Sequence, residues 1–106
     1  MRAEIICGVG MDRNNQAIAT EEAIATVKTI IERASRTFGG CNVRRIDGGW
    51  IDDHGQLVVE AGGVFTIDGV KAEQLPQVEA LAAFIKDILR QSSVVLNTYV
   101  VNTSFL

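Results

Sequence analysis

Glu60 carries the most chemical promise in this chain. It sits in mid-strand, with Asp47 expected roughly opposite across a hairpin. Two acids so placed either repel or, in a desolvated cleft, split their pKa values and share a proton. Arg45, expected diagonal to Glu60, offers a simpler role as a cross-strand ion-pair partner. His54 is the chain's single histidine, so any Ser-His-Asp or Cys-His arrangement must use it. It stands in the turn Asp52-Asp53-His54-Gly55, where a polar residue needs no catalytic reason. Asp52, Asp53 and His54 are too close along one turn to converge on a metal. Trp50 is expected as a core or interface anchor, or else as a substrate platform.

Other chemistry is excluded by spacing. Cys7 and Cys41 form neither a metal motif nor a disulfide framework, and both lie in apolar strand-like settings. Cys7-Gly8-Val9-Gly10 lacks the third glycine of a dinucleotide loop, and its helix begins some ten residues later. No Walker sequence, nucleophile elbow or cysteine knuckle occurs, so no cofactor is expected. The densest basic stretch, Arg33, Arg36, Arg44 and Arg45, is broken by Gly39-Gly40 and reads as a solvated helix end and strand.

The elements that must position these residues follow from the apolar pattern. Ala3–Gly10 is a short apolar run, expected as a buried strand, and Met11–Ala19 a polar connection. Thr20 is expected to cap a helix whose first turn holds Glu21 and Glu22. Ala23, Ile24, Val27, Ile30, Ile31, Ala34 and Phe38 give that helix one apolar face, and Gly39-Gly40 ends it. Cys41–Ile51 and Gln56–Ile67 form a hairpin that sets Trp50 opposite Leu57, on one face with Val59 and Ala61. A bulge at Gly48-Gly49 would bring Cys41 and Val43 to that same face. A second helix is expected from about Glu73 to Arg90, with Pro76 in its first turn. Val94–Phe105, rich in Val, Thr and Asn, reads as the last strand.

The order is βαββαβ. That is the α+β, ferredoxin-like two-layer sandwich, a four-stranded antiparallel sheet with two helices on one face and the first and third strands central. With 106 residues, 47% apolar, 22% charged and 6% aromatic, one domain over 1–106 is expected, with a core of its own. A net charge of −3 disfavours nucleic acid. No apolar run approaches the roughly 20 residues of a membrane span, and no leader pattern opens the chain, so a cytoplasmic protein is expected.

From Phe38 onward the chain resembles an uncharacterised family of small bacterial domains of unknown function. The resemblance lies in Phe38-Gly39-Gly40 with Val43, Gly48-Gly49-Trp50, the loop ending in Gly55, and Leu57-Val58-x-Glu60. Further on it includes Val64-x-x-Ile67, Gln91-Ser92-Ser93-Val94 and Ser104-Phe105. Gly39 replaces the family's usual proline, and Gly62 stands where the family tends to carry a serine. The resemblance implies an α/β fold and draws attention to Trp50 and Glu60. It implies no activity.

With helices on one sheet face, the other must meet water, a ligand or another subunit. Arg44, Glu60, Phe65, Tyr99, Val101 and Phe105 are its expected occupants, and a symmetric homodimer is the default association. The leading expectation is a self-associating, non-enzymatic module that binds a small molecule or protein partner, its pocket formed by Arg44, Arg45, Trp50, Glu60 and Tyr99. The alternative is a small dimeric α+β barrel enzyme with an intersubunit cavity and Glu60 or His54 as acid/base.

Overall fold

The computed structural model describes residues 1–106. The elements are β1 (Arg2–Gly8), α1 (Thr20–Phe38), β2 (Asn42–Ile51), β3 (Leu57–Ile67), a short 3-10 turn over Ala72–Gln74, α2 (Leu75–Ile88) and β4 (Val95–Tyr99). One antiparallel sheet runs β2-β3-β1-β4, so β1 and β3 are central and β2 and β4 are edges. This is the ferredoxin-like sandwich that the element order implies.

The core lies between the sheet and the two helices. Ala3, Ile5 and Cys7 of β1 and Phe65 and Ile67 of β3 point into it, meeting Ile30 and Ala34 of α1 and Val78, Leu81, Ala82 and Ile85 of α2. Phe65 is fully buried here, so it belongs to the core and not to the open face. Strand alternation then sends Glu4, Ile6, Gly8, Glu60, Gly62 and Val64 to the other side.

The β2–β3 ladder is unbroken from Asn42↔Thr66 to Ile51↔Leu57. No bulge interrupts it at Gly48-Gly49. Trp50 therefore pairs with Val58 rather than Leu57 and shares its face with Glu60, opposite to Val59 and Ala61. A slip of one residue reverses every side chain of a strand, which is why the hairpin register decides the site.

Local signals set the helix ends, with shifts at the boundaries. Thr20 is the first helical residue and makes no side-chain cap, while Gly39, at φ 92°, ends α1 with its N–H donating to the Ser35 carbonyl. Arg90, at φ 52°, turns the chain out of α2. Strand β4 stops at Tyr99, short of the expected Phe105. No helix is long and apolar enough to cross a membrane.

Candidate functional site

A cleft of about 550 Å³ opens at the end of β1, between the β2–β3 hairpin and the segment that joins α2 to β4. Its floor is Ile6, Cys7 and Gly8, and its hairpin wall is Gly48, Gly49, Trp50 and Glu60. The opposite wall is Gln91, Ser92, Ser93 and Val95, and the β1–α1 loop supplies Met11, Asp12, Arg13 and Asn15.

Glu60 enters this cleft because the register demands it. Its partner across the ladder is Gly48, and its carboxylate leans the other way, over Gly8 of β1. Asp47 lies opposite Ala61, and Arg45 opposite Gly63 on the helix side of the sheet. Neither the acid pair nor the Arg45 bridge forms, and Glu60 takes part in none of the protein's ion pairs. Loss of water around the carboxyl raises its pKa, as burial of a charged group must.

Asp12, the cleft's other carboxylate, is driven the opposite way. Its Oδ1 accepts the backbone N–H groups of Asn14 and Gln16 at 2.8 and 3.0 Å, and Arg90 Nε lies 3.5 Å from its Oδ2. Hydrogen bonding, chiefly from Gln16, overcomes burial and lowers its pKa. Asp12 is thus an ionised structural group, tying the loop together, while Glu60 is left free for chemistry. Arg90 also holds Glu22 at 2.8 Å and accepts the Arg13 N–H at its own carbonyl, so the loop is pinned to both helices.

Gln91 enters the sequence reading only within the Gln91-Ser92-Ser93-Val94 resemblance, with no site role, yet it is the one buried polar residue, 7% exposed. Its Nε2 donates to the carbonyls of Met11 and Leu89, both at 2.8 Å. Carbonyls only accept, so this fixes the amide's orientation and leaves Oε1 turned away from them. That oxygen and Glu60 Oε1 each lie 2.6 Å from where a Cβ on Gly8 would stand. A Cβ there would force at least one of the two side-chain tips to move. A glycine inside a strand is the sequence signal for such a close approach.

The other expected site residues are dispersed. Tyr99 Oη donates to Glu4 Oε2 at 3.2 Å, and Arg44 Nη1 comes within 3.9 Å of Glu4 Oε1. Arg44 and Tyr99 thus share the open face with Glu60 but stand at its far end. The Arg44 arm reaches across β3, and Val64 beneath is only 2% exposed. Arg45 lines a separate groove beside α1 with Ile24, Val27 and Val43. His54 is exposed at the hairpin tip, its backbone N–H donating to Asp52 Oδ1 at 2.9 Å, as a turn residue should. The structure brings Trp50 and Glu60 together and leaves Arg44, Arg45, Tyr99 and His54 outside the cleft.

The remaining chemistry is limited. Burial pushes the Cys7 thiol up to about 12 and the Cys41 thiol up to about 11, so neither is a ready thiolate. Both are free. No group of three or more His, Cys, Asp or Glu side chains is placed to hold a metal ion. What the cleft offers is one unpaired carboxylate, one oriented amide oxygen and an aromatic wall.

No family model matches the sequence, and no curated protein matches it significantly. Solved structures do match. A phage SAM lyase in complex with S-methyl-5'-thioadenosine is similar over 90% of this chain and 76% of that one, with 22% identity and a TM-score of 0.66. The phage SAM lyase in its apo state is similar over 90% and 75%, with 24% identity and a TM-score of 0.65. The periplasmic divalent cation tolerance protein CutA from Archaeoglobus fulgidus covers 99% of this chain and 88% of its own, with 12% identity and a TM-score of 0.59. At these identities the likeness shows a shared fold, the ferredoxin-like sandwich common to all three.

Proposed function

We propose that this chain is a small enzyme that cleaves S-adenosylmethionine and releases S-methyl-5'-thioadenosine, acting as an assembly of copies that close over the Trp50–Glu60 cleft. The observation that carries the reading is Glu60, a carboxylate held without a partner in a partly desolvated cleft, its pKa raised as an acid/base requires. The fold likeness to a SAM lyase supplies the substrate class and favours this enzyme over a purely binding module.

In the reaction, the bond from the sulfonium sulfur to the methionine-derived chain breaks. Its electron pair stays on sulfur, so a cation becomes a neutral thioether. As that bond breaks, the four-carbon fragment either gives up a proton from the neighbouring carbon to Glu60, forming a double bond, or closes its own carboxylate oxygen onto the carbon that sulfur leaves. A cationic substrate suits this cleft: Glu60 offers negative charge, and Trp50 offers an aromatic face.

Self-association would complete the site. Trp50 and Val95 leave exposed apolar surface on the cleft's own face, and Ile51, Leu57 and Val59 add an exposed patch on the hairpin's other face. Such surface on a single protomer marks an interface. A dimer is the simplest assembly that would roof the cleft. The two free thiols, Cys7 buried and Cys41 half-buried, agree with a reducing, cytoplasmic setting.

The test is incubation of the purified protein with S-adenosylmethionine, followed by chromatography for S-methyl-5'-thioadenosine and the amino-acid fragment. Release is expected from the native chain and should be abolished in Glu60→Gln. Binding of S-methyl-5'-thioadenosine without turnover of S-adenosylmethionine would return the protein to the class of binding modules.

A further inference from the structure

The floor of the cleft holds two acceptors and no donor. Glu60 Oε1 and Gln91 Oε1 converge over Gly8, each 2.6 Å from the point a Cβ would occupy there. Gln91 cannot turn its amide to relieve this, because its Nε2 is spent on the carbonyls of Met11 and Leu89. No fully buried side-chain nitrogen or oxygen in the protein lacks a partner, so the free Gln91 oxygen reaches the open cleft. Two oxygens facing one space, one of them on a carboxylate, make a poor empty pocket and a good seat for a cationic N–H donor.

We infer that the Glu60–Gln91 oxygen pair over Gly8 binds a primary ammonium group of the ligand, the α-ammonium of a substrate that carries an amino-acid end. A tetrahedral ammonium has several hydrogens and can satisfy both oxygens at once. A hydroxyl has one, and a thioether has none. The rim is complementary: Arg13, Asn15, Ser92 and Ser93 line the same cleft and supply donors for the neighbouring carboxylate of such a ligand. Gly8 is what lets the two oxygens converge, since a Cβ there would stand 2.6 Å from each and push the side-chain tips apart. The inference takes its substrate class from the proposed lyase activity, yet the oxygen pair is an observation independent of cleavage.

The experiment uses two small probes that differ only at the amino group, L-methionine and 4-(methylthio)butanoate, titrated at millimolar concentration into the full isotope-labelled chain. The Gly8 backbone amide, the Gln91 side-chain amide and the Trp50 indole are followed by NMR. Methionine is expected to shift all three signals and to bind about tenfold or more tightly than the deaminated probe. Gly8→Ala should erase that preference, and Glu60→Gln, which folds around an isosteric side chain, should weaken methionine to the level of the deaminated probe. Equal binding of the two probes, no methionine shifts at these signals, or an unchanged preference in folded Glu60→Gln overturns the inference. Preference for methionine without any cleavage of S-adenosylmethionine would sink the proposed activity alone.

Discussion

The Glu60 carboxylate lies over Gly8 of the central strand β1 rather than over its ladder partner Gly48, and it takes part in no salt bridge. A Cβ at Gly8 would stand 2.6 Å from the carboxylate, whereas one at Gly48 would meet nothing within 4 Å. The register sets Glu60 on the open face beside Gly8, and burial there raises its pKa.

This has a signed effect on stability. Glu60 titrates higher in the folded protein than in the unfolded chain, because burial penalises its charge. Between those two values the folded state holds more protons, so stability falls as pH rises through the window, and ionised Glu60 is a cost at neutral pH. Asp12 has the opposite sign. Its lowered pKa contributes stability above the unfolded value, which is lost as pH falls through the folded value. Thermal melts across pH should show Glu60→Gln raising Tm slightly at neutral pH, with the gain vanishing in acid. Asp12→Asn should lower Tm at neutral pH, and that difference should also vanish in acid. Melting curves of the two variants that move in the same direction at neutral pH would contradict the assignment.

Trp50 is 44% exposed, so it is no core anchor of the isolated protomer. Trp50→Ala should cost about 1 kcal/mol or less in denaturant unfolding of the monomer, far below a core truncation. Its effect should fall on ligand binding and self-association instead. A loss of about 3 kcal/mol or more at low protein concentration would show that the indole is packed after all.

Leu57 and Val59 lie on the same hairpin face, with Ile51 paired to Leu57, and all three are well exposed. Val59→Asp places a charge in this patch without touching the core. Sedimentation velocity at micromolar concentration should find the native chain associated and the variant shifted to monomer, with little change in the circular dichroism melt. A native chain that sediments as a monomer would remove the intersubunit part of the proposed function.

Much of the fold was legible because it rests on local rules. The three- and four-residue spacing from Ala23 to Phe38 makes a helix with one apolar face, and Gly39 supplies the left-handed end that few other residues accept. The order of elements then admits few topologies, and the observed sheet order follows from it. Register was not legible. The glycines at 48 and 49 allow either a bulge or a straight ladder, and only pairing along the whole of β2 and β3 selects the straight one. That one-residue difference moved Trp50 and Glu60 onto a common face and parted Glu60 from Arg45 and Asp47.

Gln91 marks the same boundary. In the sequence it is a polar residue after a helix, part of a resembling stretch but with no sign that it is buried. In the structure it is buried against Met11, a partner 80 positions earlier in the chain, and its free oxygen meets Glu60 over Gly8. Short-range chemistry determined which strands and helices exist. Long-range packing alone decided which polar atoms share a cleft, because hydrogen-bond partners distant in sequence become neighbours only once the sheet has closed.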